Sequence, residues 1–99
     1  KIDDVKHSFA TALAIPKEAA SRAAMSELRF QQLQKSRTPE DFFRRISRAV
    51  ALLGGKANIA CLTDNILQWL LEYRYAPARR PAQRLAVRWA TDYYTALKD

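Results

Sequence analysis

Arg44, Arg45 and Arg48 stand together inside the stretch TPEDFFRRISRAVALLGGK, residues 38–56, and Arg80, Arg84 and Arg88 recur at intervals of four further along. A guanidinium is planar, always charged and forked, so it meets the oxygens of a phosphate two at a time. Arginines one helical turn apart repel each other slightly, and a polyanion laid across them relieves that cost. What these residues offer is electrostatic capture of a charged backbone, not bond making.

Groups able to make and break bonds are sparse. His7 is the single histidine and Cys61 the single cysteine. A Ser–His–Asp or Cys–His arrangement has to use His7, which lies near one end of the chain and reads as an exposed helix residue. Cys61 falls near the start of a helix and reads as a small buried or half-buried hydrophobe, an activated thiol being the alternative. Asp3–Asp4 and Glu40–Asp41 are paired acids, and placement at helix N-termini accounts for both pairs. No cluster of His, Cys and carboxylates has the spacing of metal ligands. Gly54–Gly55–Lys56 lacks the upstream Gly and the following Ser or Thr of a phosphate-binding loop. The expectation is no enzyme, no metal and no cofactor.

The bulk numbers agree with a binding role. A chain of 99 residues with a hydrophobic fraction of 48% makes one domain with a modest core. Two Gly and four Pro, and no alternating apolar–polar run between turn residues, predict an all-α bundle of about five helices. The net charge is +7, and Arg outnumbers Lys among the 17 basic residues. That favours polyanionic partners, nucleic acid ahead of membrane surfaces, over a charge that only keeps the chain in solution. One Cys fits a reducing cytosol, and no apolar run approaches the roughly 18 residues of a membrane span. The chain begins at Lys rather than Met, so a missing N-terminal portion is expected.

Five helices would carry these side chains. The first is expected from Asp3 to about Ala14, with Ile2, Val5, Phe9, Ala12 and Leu13 on one stripe and Pro16 blocking continuation. The segment PKEAASRAA has few large apolar residues and predicts nothing definite. Ser26 caps a second helix through SELRFQQLQK, in which Arg29 lies between Leu28 and Phe30. In the third, Thr38 is the N-cap and Pro39 the first helical residue. Asp41 takes the capping-box position, and Gly54–Gly55 is the stop. Its apolar face is Phe42, Ile46, Ala49, Val50 and Leu53, which leaves Arg44 and Arg48 opposite and Arg45 on the flank.

Lys35 and Arg37 sit in the loop leading into this third helix, close to Arg44 and Arg48 if the two helices lie side by side. Asn58 caps a fourth helix to about Tyr73, with Ile59, Leu62, Ile66, Trp69, Leu70 and Tyr73 as its stripe. Leu67 and Leu71 widen that stripe, so this helix is expected either at the centre or with a second face on another subunit. Pro81 starts a fifth, with Leu85, Trp89, Tyr93 and Ala96 inward and Arg80, Arg84 and Arg88 outward. Helical spacing makes Trp69, Trp89 and Tyr93 core residues and leaves Tyr94 as the exposed aromatic.

The pieces SELRF, ALLGGKANIA and RWATDYY, in that order across residues 26–94, closely resemble the C-terminal half of the CasB family, the small subunit of the type I-E CRISPR surveillance complex Cascade. The resemblance is less clear over residues 1–25. It implies a non-catalytic helical subunit that pairs with a second copy and contacts the backbone and large subunits. It also implies a hold on the guide RNA–target DNA duplex and on the displaced single strand, in antiviral defence. Base pairing then reads sequence while protein tracks backbone. By the same resemblance, Arg29, Lys35, Arg37, Arg45 and Arg48 are the expected DNA contacts. The residue pattern adds Arg44, Lys56, Arg84 and Arg88. Two features depart from the family pattern: its N-terminal helical half has no counterpart here, and Cys61 stands where an acid is expected. The rival expectation is a protein–protein scaffold that uses the apolar face of helix 59–73, with Leu67 and Leu71 as its essential residues.

Overall fold

The computed structural model describes residues 6–16, 22–77 and 79–98. Within them lie α1 (Phe9–Ala14), α2 (Glu27–Gln34), α3 (Pro39–Leu52), α4 (Ile59–Arg74) and α5 (Leu85–Lys98), the last preceded by a 3-10 turn at Pro81–Gln83. A single antiparallel bridge between Pro16 and Ala23 is the only extended pairing among the described residues. The fold is all-α, as expected.

The third helix is built as its sequence predicts. Thr38 is extended, and its Oγ1 accepts the Asp41 N–H at 3.2 Å, while Pro39 has no N–H to leave unsatisfied. The Asp41 carboxylate accepts from Arg44 at 2.7 Å, so its side chain serves the ion pair. At the other end Gly54 and Gly55 adopt φ values of 70° and 78°. The Gly54 N–H donates to Ala51 and the Gly55 N–H to Val50, both at 2.9 Å, which closes the helix with the paired bonds of a Schellman stop. Phe42, Ile46 and Ala49 are buried, with Val50 and Leu53 half-buried beside them.

Three expectations need correction. The first helix starts later than predicted. Lys6 to Ser8 are not helical, and Ser8 caps α1 by accepting the Thr11 N–H at 3.2 Å. Residues 1–5, with Ile2, Val5 and the Asp3–Asp4 pair, lie outside the described residues, as do residues 17–21 of PKEAASRAA. His7 is therefore a half-buried residue ahead of the helix, and its carbonyl accepts from Asn58 Nδ2 at 3.1 Å. Asn58 also accepts the Cys61 N–H at 3.0 Å, and Cys61 Sγ accepts the Phe9 N–H at 3.4 Å. One capping residue and one half-buried thiol thus fasten the start of α4 to the start of α1.

Of the two placements expected for the fourth helix, the central one is not what the structure shows. Only Asn65 and Trp69 on it are buried, while Leu67 is 55% and Leu71 47% exposed. The most extensive helix pairing is instead α1 with α5. Finally, Pro81 begins a 3-10 turn rather than the fifth helix. Arg84 is extended at its end, and α5 starts at Leu85, whose N–H donates to the Glu72 carboxylate at 2.9 Å.

The core is aromatic. Phe42 stacks on Trp69 with centroids 4.2 Å apart, and Phe30 on Tyr93 at 3.9 Å. Each buried polar end finds a partner, as it must in a low-dielectric interior. The Trp89 indole N–H donates to Asn65 Oδ1 at 2.8 Å, and the Tyr93 hydroxyl donates to the Met25 carbonyl at 2.6 Å. Burial, with smaller contributions from Tyr94 and Glu27, pushes the Tyr93 hydroxyl above its ordinary pKa.

Candidate nucleic-acid interface

Alpha-helical periodicity places one arginine of α2 and two of α3 on surfaces that face each other. Arg29, Arg45 and Arg48 line one cleft of about 220 Å3 together with Met25, Gln32 and Leu52. Arg29 and Arg48 are exposed and Arg45 is half-buried. The three guanidinium groups differ in what already holds them. Arg45 Nη1 donates to the Gln32 carbonyl at 2.8 Å and to Ser36 Oγ at 3.3 Å. It therefore ties α3 to the carbonyl end of α2. Arg29 and Arg48 form no ion pair among the described residues, whose ion pairs are Arg44–Asp41 at 2.7 Å and Arg88–Asp64 at 4.0 Å.

The α2–α3 connection carries further charge, although neither of its basic residues lines the cleft. Lys35 caps the C-terminus of α2, Arg37 precedes the N-cap of α3, and both are exposed. The exposed Arg44 has its charge partly matched by Asp41 one turn earlier. Such a surface has the properties phosphate binding needs, namely positive charge on rigid helices without built-in base specificity.

The remaining expected contacts are not gathered there. Lys56 lines a different cleft, with Lys6, His7 and Leu53. The outward stripe on the fifth helix is broken, because Arg80 and Arg84 flank the 3-10 turn and only Arg88 belongs to α5. Arg88 donates to Gln68 Oε1 and lies 4.0 Å from Asp64, so its guanidinium is held against α4. Arg84 is half-buried.

Tyr94 was expected as the exposed aromatic and is not. It is half-buried, stands edge-on to Phe30, and its hydroxyl donates to Glu27 at 3.2 Å. The exposed rings are Phe43, Tyr73 and Tyr75 instead. Phe43 was legible in principle: it lies next to the core residue Phe42 and so about 100° round the helix from it. The side chain of Gln32, which joins the arginine cleft, gave no sequence signal.

No group of three or more His, Cys, Asp or Glu among the described residues could hold a metal ion. No described helix is long and apolar enough to cross a membrane.

Comparison with known proteins agrees with the motifs. The sequence model of CRISPR-associated protein Cse2 matches residues 1–94, including the 25 residues whose resemblance was less clear. No curated protein and no solved structure matches the chain. Since the family match leaves out only the last five of 99 residues, the chain belongs to the Cse2 family, also called CasB, the small subunit of the type I-E CRISPR complex Cascade.

Proposed function

We propose that this Cascade subunit holds nucleic-acid backbone without catalysis, through the basic surface shared by α2, the α2–α3 loop and α3. Arg29, Lys35, Arg37 and Arg48 are the primary phosphate contacts, with Arg44 beside them. Arg45 contributes charge while bracing the two helices. The observation that carries this reading is the convergence of Arg29, Arg45 and Arg48 on one cleft from two helices. In the assembled complex the substrates are the displaced single DNA strand and the guide RNA–target duplex, with a second copy of the chain and the backbone and large subunits as neighbours. Lys56, Arg84 and Arg88 are secondary contacts, since none of them belongs to α2, the α2–α3 loop or α3.

The test is Cascade assembled with the Arg29→Ala, Arg48→Ala double variant of this subunit. The reading expects normal assembly but weaker target-DNA binding and a displaced strand more open to nuclease. Parent-like target binding at moderate salt would contradict it.

A second reading rests on the exposed Leu67 and Leu71 of α4. There the subunit is a protein scaffold and that face docks a neighbouring subunit. Leu67→Ser with Leu71→Ser would then abolish assembly, and the arginine variants would leave target binding intact.

A further inference from the structure

We propose that the cleft between the end of α2 and the facing sides of α4 and α5 receives an arginine side chain from a neighbouring protein subunit. The inference rests on family membership for the existence of such neighbours and not on the nucleic-acid reading. The cleft has a volume of about 210 Å3, and Gln34, Ser36, Trp69, Glu72, Tyr73 and Trp89 are among its lining residues.

Glu72 is the first reason. In a chain of net charge +7, this half-buried carboxylate takes part in neither ion pair of the described residues. Its Oε2 accepts the Leu85 N–H at 2.9 Å and the Gln68 amide at 2.8 Å. These bonds fix its position while leaving the carboxylate without a full positive charge. A guanidinium supplies that charge and donates to the other oxygen, Oε1, in a charge-assisted hydrogen bond.

The aromatic wall is the second reason. Phe42 and Trp69 stack at 4.2 Å and 5°, and Trp69 and Tyr73 at 5.3 Å and 8°, so a near-parallel column runs out from the core. Tyr73 ends the column and is 55% exposed. A planar guanidinium extends such a column and gains a cation–π contact, which a compact, strongly hydrated ammonium does less well. A nucleotide fits worse, because Glu72 repels its phosphate.

The chain contains two tryptophans and both line this cleft, so their fluorescence reports its occupancy directly. The experiment titrates N-acetyl-arginine amide into the 99-residue chain, with the uncharged N-acetyl-citrulline amide as control. Glu72→Gln removes the charge but keeps an oxygen for the Leu85 N–H, and circular dichroism checks that the variant folds. The proposal expects a saturable response to the arginine probe. Binding should weaken about tenfold for citrulline or in Glu72→Gln, and about twofold to fivefold in Tyr73→Ala. Single-stranded DNA binding should be unchanged by Glu72→Gln, which separates this site from the basic surface. Equal binding of arginine and citrulline, parent-like arginine binding in Glu72→Gln, or tighter binding of cytidine or adenosine than of the arginine probe would each overturn it.

Discussion

Arg45→Ala should lower thermal stability, and Arg48→Ala should not, although the two residues line the same cleft. Gln32 lies in the last turn of α2, where backbone carbonyls have no partner within the helix. Arg45 supplies one at 2.8 Å, with a second bond to Ser36 Oγ at 3.3 Å, and its charge opposes the negative end of the helix dipole. A hydrogen bond to a charged group contributes about 1.5–3 kcal/mol when well buried. Arg45 is half-exposed, so solvent screening reduces this to about 1 kcal/mol. For a domain of this size that corresponds to a fall in Tm of about 4–8 °C. Arg48, with no ion pair among the described residues, should change stability by no more than about 0.5 kcal/mol. Thermal melts followed by circular dichroism compare the two variants. If Arg45→Ala melts no lower than Arg48→Ala, the bracing role is wrong. Binding tests should accordingly leave Arg45 in place, because its loss mixes folding with recognition.

Other variants probe the core and the helix ends. Asn65→Leu strips the buried Trp89 indole of its 2.8 Å acceptor and should cost about 1–3 kcal/mol in denaturant unfolding, most of it coupled to Trp89 in a double-mutant cycle with Trp89→Phe. Gly54→Ala, at φ 70°, should cost about 1 kcal/mol, because the left-handed backbone of the helix stop disfavours a Cβ. The Tyr93 hydroxyl has a folded-state pKa raised above the unfolded value, so its neutral form is the one the fold prefers. That contribution is fully present below the ordinary tyrosine value near 10 and is lost as pH rises through the raised one. Stability should therefore fall in strong alkali, and Tyr93→Phe should lessen the fall in a pH series of melts.

What the sequence revealed follows from where each signal is encoded. The ends of α2, α3 and α4 were readable because Ser26, Thr38 and Asn58 each cap a backbone N–H three residues on, and Gly54–Gly55 closes α3 locally. The start of α5 was not readable, since the group that meets its first N–H is Glu72, thirteen residues earlier and on another helix. The Pro81 rule set the start several residues too early for that reason. The arginine stripe expected along α5 failed with it. For α4, periodicity finds an apolar stripe but not how much of it a neighbour covers, so it left two placements open, and Leu67 and Leu71 are exposed. The arginine cluster on α3 was visible from spacing. Its meeting with Arg29, and the different task of Arg45, depend on how α2 lies against α3.

The central claim is that α2 and α3 present a phosphate-binding surface. Its most direct test is single-stranded DNA binding by the chain across a range of salt, for the parent and for an Arg29→Ala, Arg37→Ala, Arg48→Ala variant. Four to six phosphate contacts give a log–log slope of about −3 to −4, and loss of three contacts should flatten it by about two units. A parent slope near zero, or a slope the variant leaves unchanged, would contradict the claim.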